Sequence, residues 1–191
     1  MFSRKGLAGI IIVAGIAAAA VVTLATMSSG AAPTKAIEKA SDKAIVPLDK
    51  IVGGGPRRDG IPSIDSPKFT PVKDANLQNG ELVLGLNING DVRAYPLQII
   101  VWHEIVNDVV GGEPVAITYC PLCFSNQVFK RTVEGEAVEF GTSGKLYNSN
   151  LVMYDRASES LWSQALGQAI AGENAGMKLE RVSLDVTYWG D

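Results

Sequence analysis

The sequence predicts an α+β domain, predominantly antiparallel β-sheet with one buried helix over about 96–108, behind an N-terminal membrane segment. Three observations carry this. Apolar residues alternate at period two through several short runs, dipeptides suited to tight hairpins separate some of them, and a single run has helical spacing. Of 191 residues, 47% are hydrophobic, enough to bury one sizeable core, and no segment repeats internally.

Arg4 and Lys5 open the chain, and Gly6 to Met27 carry no charge. A secretory leader has an apolar stretch of about 7–15 residues and a spanning helix needs about 20, so the length favours an uncleaved anchor over 1–27. The small residues of "SSGAA" behind it also suit a signal peptidase, which makes a cleaved leader and a secreted domain the alternative. In both cases the basic start stays in the cytoplasm and the rest lies outside it, with the membrane a partner through this segment alone. Residues 28–54, rich in Ala, Ser, Pro and Lys, read as a tether, and 55–191 as the domain. Twenty acidic residues outnumber 17 basic ones, Arg4 and Lys5 included. Without a basic cluster, nucleic acid and anionic lipid surfaces are poor partners, and the composition names no protein or small molecule in their place.

Within the domain, "GGGPRRDGIPSIDSPKF" is too rich in glycine and proline for a long regular element and reads as an ordered arm wrapping the core through Ile61, Ile64 and Phe69. Leu82, Leu84, Leu86 and Ile88 alternate across a strand, and Asn89-Gly90 suits a type I′ turn, so a hairpin follows. In "PLQIIVWHEIVNDVVGG", Leu97, Ile100, Val101, Glu104 and Ile105 fall at helical spacing, Pro96 suits the first turn and Gly111 or Gly112 ends the run. Period two returns in "PVAITYC", "NQVFKRT" and "AVEFGT", with Glu134-Gly135 as a second hairpin turn. "LVMYD" and "SLWSQ" add short strands, and "GKLYNSN" reads as a polar loop.

Both cysteines of the chain, Cys120 and Cys123, lie in "TYCPLCFS". A Cys-Pro-Leu-Cys turn leaving a strand suits a metal knuckle, but a tetrahedral site then has to recruit His103, the only histidine, with Glu104 or Asp108 assisting. Two thiolates and a third ligand also suit copper(I). A redox pair of the kind that opens a helix is disfavoured, because "FSNQVFK" alternates like a strand and supplies no helix dipole to lower a thiol pKa. The remaining readings are a disulfide across a short loop, which closes little chain entropy, two thiols that merely pack, or a nucleophilic thiol. In "WHEIVND", Asn107 stands one helical turn from His103, able to orient its ring, while Trp102 reads as core and Asp108 as a solvated helix end. Asp155-Arg156 in "MYDR" reads as a surface ion pair or turn, and "FGTSGKLYNSN" lacks the arrangement of a phosphate loop.

"DGIPSIDSPKF", "RAYPLQIIVWHEIVNDVVGGEPVAITYCPLCFS", "FGTSGKLYNSNLVMYDR" and "LWSQALGQAIAG" together resemble the DUF3179 family, from about Gly55 to the end. The family pattern continues past the point where this chain stops at "VTYWGD", to a segment with His-Pro. The resemblance therefore implies a fragment or a C-terminally truncated member that lacks a second histidine of the family, and so it does not supply a Cys2His2 set. It also implies export and the Cys-Pro-Leu-Cys turn, and brings no established activity. The leading expectation is an extracytoplasmic domain that binds zinc or copper through Cys120, Cys123, His103 and Glu104. The alternatives are a structural or interaction module with a local disulfide, and a Cys-His thiol enzyme or redox protein.

Overall fold

The computed structural model describes residues 8–11 and 43–191. In chain order the strands are β1 (Ala8–Ile11), β2 (Ile51–Gly53), β3 (Phe69–Pro71), β4 (Leu82–Ile88), β5 (Asp91–Pro96), β6 (Ile105–Val110), β7 (Glu113–Cys120) and β8 (Ser125–Lys130). They continue as β9 (Thr132–Val133), β10 (Glu136–Ala137), β11 (Phe140–Tyr147), β12 (Asn150–Asp155), β13 (Leu161–Ser163), β14 (Gln168–Ala171), β15 (Arg181–Val182) and β16 (Asp185–Tyr188). One sheet runs β16-β4-β5-β1-β3, a second β15-β8-β7-β6, a third β14-β13-β12-β11-β2, and β9 and β10 make a small hairpin.

The second sheet is the middle layer of three. Successive side chains of a strand point to opposite faces, and β7 is buried on both. Val115, Ile117 and Tyr119 join Leu84, Leu86 and Tyr95 of the first sheet in one core. Ala116 and Cys120 join Phe140, Leu151, Met153 and Trp162 of the third sheet in another. This explains why "VAITYC" is almost uniformly apolar, as expected of a strand covered on two sides. Each fully buried Val, Leu, Ile or Phe contributes roughly 1.5–3 kcal/mol of transfer free energy, so the two cores dominate folding.

The predicted hairpin at Asn89-Gly90 is present, both residues at positive φ, and β4 pairs with β5 up to Ile88 opposite Asp91. Glu134-Gly135 likewise joins β9 to β10. The helix predicted over 96–108 is corrected. Only Leu97–Ile100 is helical, here α1; the chain turns at Glu104 (φ 59°), and Ile105–Val110 is β6. Leu97, Ile100, Val101 and Ile105 fit a helical face, but Ile105, Val106, Val109 and Val110 are β-branched, and pairing with β7 buries three of them. Gly111 and Gly112, both at positive φ, form the two-residue turn of that hairpin and do not stop a helix.

The polar loop predicted at "GKLYNSN" is corrected too. β11 runs through Tyr147 with a bulge between Thr142 and Lys145, and only Asn148 and Ser149 turn. The end of the tether is part of the fold: β2 pairs with β11, and Ile45 N–H donates to Ile170 O at 3.0 Å. Four residues of the expected anchor, β1, lie parallel to β5, and the rest of 1–27 lies outside the described residues. Among the described residues no helix is long and apolar enough to cross a membrane.

Replacing Ile117, fully buried in the middle layer, by alanine is expected to cost about 2–5 kcal/mol, whereas Val109→Ala on the half-exposed face of β6 costs less than about 1 kcal/mol. Urea unfolding of the two variants checks the two-sided burial of β7.

Candidate functional site

The site grows from the turn that joins β7 to β8. Cys120 is the last residue of β7, opposite Ser125, and Pro121 to Phe124 form the connection. The parity of β7 sends the Cys120 side chain into the core shared with the third sheet, where it is 1% exposed. Cys123 lies on the exposed outside of the turn, and both cysteines are free. Cys123 N–H donates to Cys120 O at 3.3 Å, and Phe124 takes φ 52°, an uncommon conformation for a bulky residue, to bring the chain back into β8. Leu122 and Phe124 on either side of Cys123 are 67% and 80% exposed.

Polar side chains from the second and third sheets converge on Cys123. Asn150 Nδ2, at the start of β12, donates to Cys123 Sγ at 3.1 Å, and Ser125 Oγ is also 3.1 Å from that sulfur. Gln164, just past β13, holds both in place: its Oε1 accepts from Asn150 Nδ2 at 2.8 Å and from Ser125 Oγ at 2.9 Å. Gln164 Nε2 in turn donates to Thr118 Oγ1 at 3.1 Å, and Asn150 Oδ1 accepts the Ala165 N–H at 2.9 Å. Asn150 is therefore fixed from behind, and its Nδ2 donor faces the sulfur.

This arrangement drives the two thiols apart. Burial pushes Cys120 up to about 11, and its hydrogen bond to Cys123 adds to that. For Cys123 partial desolvation acts upward, but hydrogen bonding with Cys120, Ser125 and Asn150 outweighs it and holds the thiol below its ordinary range. The pair is thus an exposed sulfur biased toward thiolate beside a buried sulfur that keeps its proton.

Behind the pair lies a cleft of about 240 Å³. Cys120, Leu146 and Leu151 line it together with Glu104, Thr142, Lys145 and the arm residues Gly54, Pro56 and Ile61. The arm is fastened to β11 through main chain: Gly54 N–H donates to Gly144 O at 2.8 Å, and Thr142 Oγ1 donates to Ile61 O at 2.7 Å. Gly144 has φ 70°, and a Cβ there would collide with the Pro56 carbonyl, so the bulge needs glycine. Glu104 reaches the cleft because its backbone sits at the foot of the β6–β7 ladder, where Tyr119 N–H donates to Glu104 O at 2.8 Å. Desolvation pushes the Glu104 carboxyl up to about 7, and it has no hydrogen-bond or ion-pair partner among the described residues.

Of the four residues expected as metal ligands, Cys120, Cys123 and Glu104 thus gather around the turn and its cleft. His103 does not line the cleft; its Nδ1 is 2.8 Å from Pro62 O of the arm. Among the described residues no group of three His, Cys, Asp or Glu side chains is placed to hold a metal ion.

The other polar residues of "WHEIVND" have structural work, since they belong to a strand and not to a helix. Asn107 ties Asp65 and both main-chain groups of Phe140 together and does not orient His103. Asp108, read as a solvated end, is buried and accepts two hydrogen bonds from Arg93 at 2.8 Å and one from Tyr95 Oη at 2.7 Å. Trp102, read as core, is 75% exposed. Asp155 does not pair with Arg156: it is fully buried and accepts from Ser158, Trp162 and Asn174, while Arg156 reaches Asp65 of the arm at 3.3 Å.

Ser125, Asn150, Gln164 and Thr118 were not singled out from the sequence. Their signal is uncharged polar residues embedded in apolar strand runs, "NLVMY" and "LWSQ", where an unpaired amide would be costly.

Fold and site together define a layered, almost all-β domain that carries a Cys-X-X-Cys dithiol on a hairpin turn over an apolar cleft. The chain belongs to the DUF3179 family, described as a protein of unknown function, whose family model matches residues 58–191. No curated protein and no solved structure matches it.

Asn150→Ala removes the amide hydrogen bond to the Cys123 sulfur, and the pH at which Cys123 becomes half reactive to iodoacetamide is expected to rise by about 1, as the loss of a charge-assisted hydrogen bond implies. The expected linkage for Glu104 has the opposite sense in stability. Below about pH 4.5 the folded and unfolded chains both carry its proton; as pH rises toward about 7 the unfolded chain loses the proton first, and the folded state is progressively disfavoured. Glu104→Gln is therefore expected to be near neutral at pH 4 and stabilising by on the order of 1–3 kcal/mol at pH 8, measured by urea unfolding at both pH values.

Proposed function

We propose that the domain carries out thiol–disulfide exchange, with Cys123 as the attacking thiolate and Cys120 as the resolving thiol. The observation that supports this reading most directly is the asymmetry of the pair: one exposed sulfur accepts a hydrogen bond from Asn150 and touches the Ser125 hydroxyl, and the other is buried beside it with its proton retained. In the reducing direction, Cys123 Sγ attacks one sulfur of a substrate disulfide R–S–S–R′. The S–S bond breaks, R′–S⁻ leaves and is protonated, and R–S stays attached as a mixed disulfide. Cys120, deprotonated, then attacks Cys123 Sγ and expels R–S⁻. The substrate gains two electrons, and Cys120 and Cys123 become a disulfide that a dithiol substrate reduces in the reverse sequence. Hydrogen bonds that favour the Cys123 thiolate favour the reduced form of the pair, which makes its disulfide a ready acceptor of electrons.

The reading is tested by trapping. The Cys120→Ser chain is expected to accumulate a stoichiometric mixed disulfide with an added small-molecule disulfide, seen by intact mass, whereas Cys123→Ser forms none. In the native chain at pH 7, Cys123 should alkylate on the order of 100-fold or more faster than Cys120. Equal, slow alkylation of both thiols overturns the proposal. So does stoichiometric zinc or copper that either substitution abolishes, since it would make the pair a ligand set.

A further inference from the structure

Resolution of a mixed disulfide sets a proton problem. Cys120 lies in the core below the turn, closed off from bulk water, and it must lose its proton at the moment it attacks Cys123. Bulk base cannot reach it readily, so a group on the cleft side has to accept that proton. Among the residues that line the cleft, Glu104 is the one that offers a carboxylate to accept the Cys120 proton.

Glu104 is built into this position at some cost. It holds φ 59°, which a non-glycine residue adopts uncommonly, and it presents a half-buried carboxyl to the same cleft that Cys120 lines. A carboxylate at this backbone conformation is hard to explain by packing, since β6 would begin equally well from a glycine or an asparagine at that φ. The neighbouring His103 is engaged with Pro62 O of the arm and lies off the cleft.

We propose that Glu104 is the proton-transfer group of the resolving step. Its carboxylate takes the Cys120 thiol proton through water in the cleft that both residues line, as Cys120 Sγ attacks Cys123 Sγ, and the same proton then passes to the departing R–S⁻. No electron changes hands at Glu104. Two features suit it to this: burial alone brings its carboxyl to about 7, so both forms are populated near neutral pH, and part of what holds the Cys120 proton in the free pair is the neighbouring Cys123 thiolate. Once Cys123 is tied into a mixed disulfide that contribution disappears, and the thiol becomes easier to deprotonate when deprotonation is needed. This inference rests on the exchange reading above and assigns a residue to its second step only.

The experiment separates the two steps on the full chain with 5,5′-dithiobis(2-nitrobenzoate), which releases one coloured thiolate when the mixed disulfide forms and a second when Cys120 resolves it. In Glu104→Gln the first release is expected to keep its native rate, and the second to slow by about 100-fold or more and to lose its rise through pH 7, as removal of a general base implies. Glu104→Asp, whose shorter carboxylate tolerates the same backbone φ, should restore part of the second rate and its pH dependence. A second release unaffected by Glu104→Gln overturns the role of Glu104 while leaving exchange intact. The absence of a fast first release in the native chain overturns the exchange reading itself and the inference with it. Equal slowing of both releases in Glu104→Gln also overturns the inference, because it assigns to Glu104 a part in shaping the turn.

Discussion

The two-sided burial of β7 is the constraint on which the site depends. A strand with one solvated face would alternate between core and water, and its last residue could face either way without consequence for a second layer. Here each face is claimed by a different sheet, so the parity that sends Ile117 and Tyr119 toward β4 and β5 necessarily sends Cys120 toward β12. The turn that follows must then leave the sandwich, and it carries Cys123 outward. Two sulfurs three positions apart in sequence are delivered to a dry environment and a wet one by strand geometry alone.

What strand geometry does not supply is a reason for the outer sulfur to ionise, and that comes from the neighbouring layer. The β11–β12 turn and the end of β13 arrive beside the β7–β8 turn and present the Asn150 amide, itself held by Gln164, to the Cys123 sulfur. Prepositioned dipoles of this kind lower a thiol pKa as a helix terminus does, without a helix. Separation of the two thiols is therefore a property of the contact between the second and third sheets, and a change in how those sheets seat on one another would be felt first at Cys123.

The hairpins were legible because their turns have local chemistry: Asn89-Gly90 and Glu134-Gly135 both adopt the positive φ that such pairs favour. The segment 96–108 was misread because Leu97, Ile100, Val101 and Ile105 satisfy a helical and a strand pattern at once, and the partner that decides between them, β7, lies further along the chain. "GKLYNSN" was misread because its polar residues suggested solvent, whereas a bulge at Ser143 and Gly144 lets a strand pass through them. At the site, the cysteines and Glu104 were visible as chemistry-bearing residues. Thr118, Ser125, Asn150 and Gln164 were not, because a hydrogen-bond network drawn from three strands and a turn leaves no spacing in a single stretch of sequence. Redox chemistry was disfavoured for want of a helix, and no helix follows the pair: β8 begins at Ser125.

The bulge at Gly144 has a consequence for how the cleft can vary. Its outer wall is main chain against main chain, the Pro56 carbonyl lying where a side chain on residue 144 would be, so neither partner can be enlarged or trimmed by substitution. Adaptation to differently shaped guests would then fall to Ile61, Leu122 and Leu146, whose side chains project from that fixed frame. Diversification in such a pocket would be confined to a few aliphatic positions, while its rim keeps one contour.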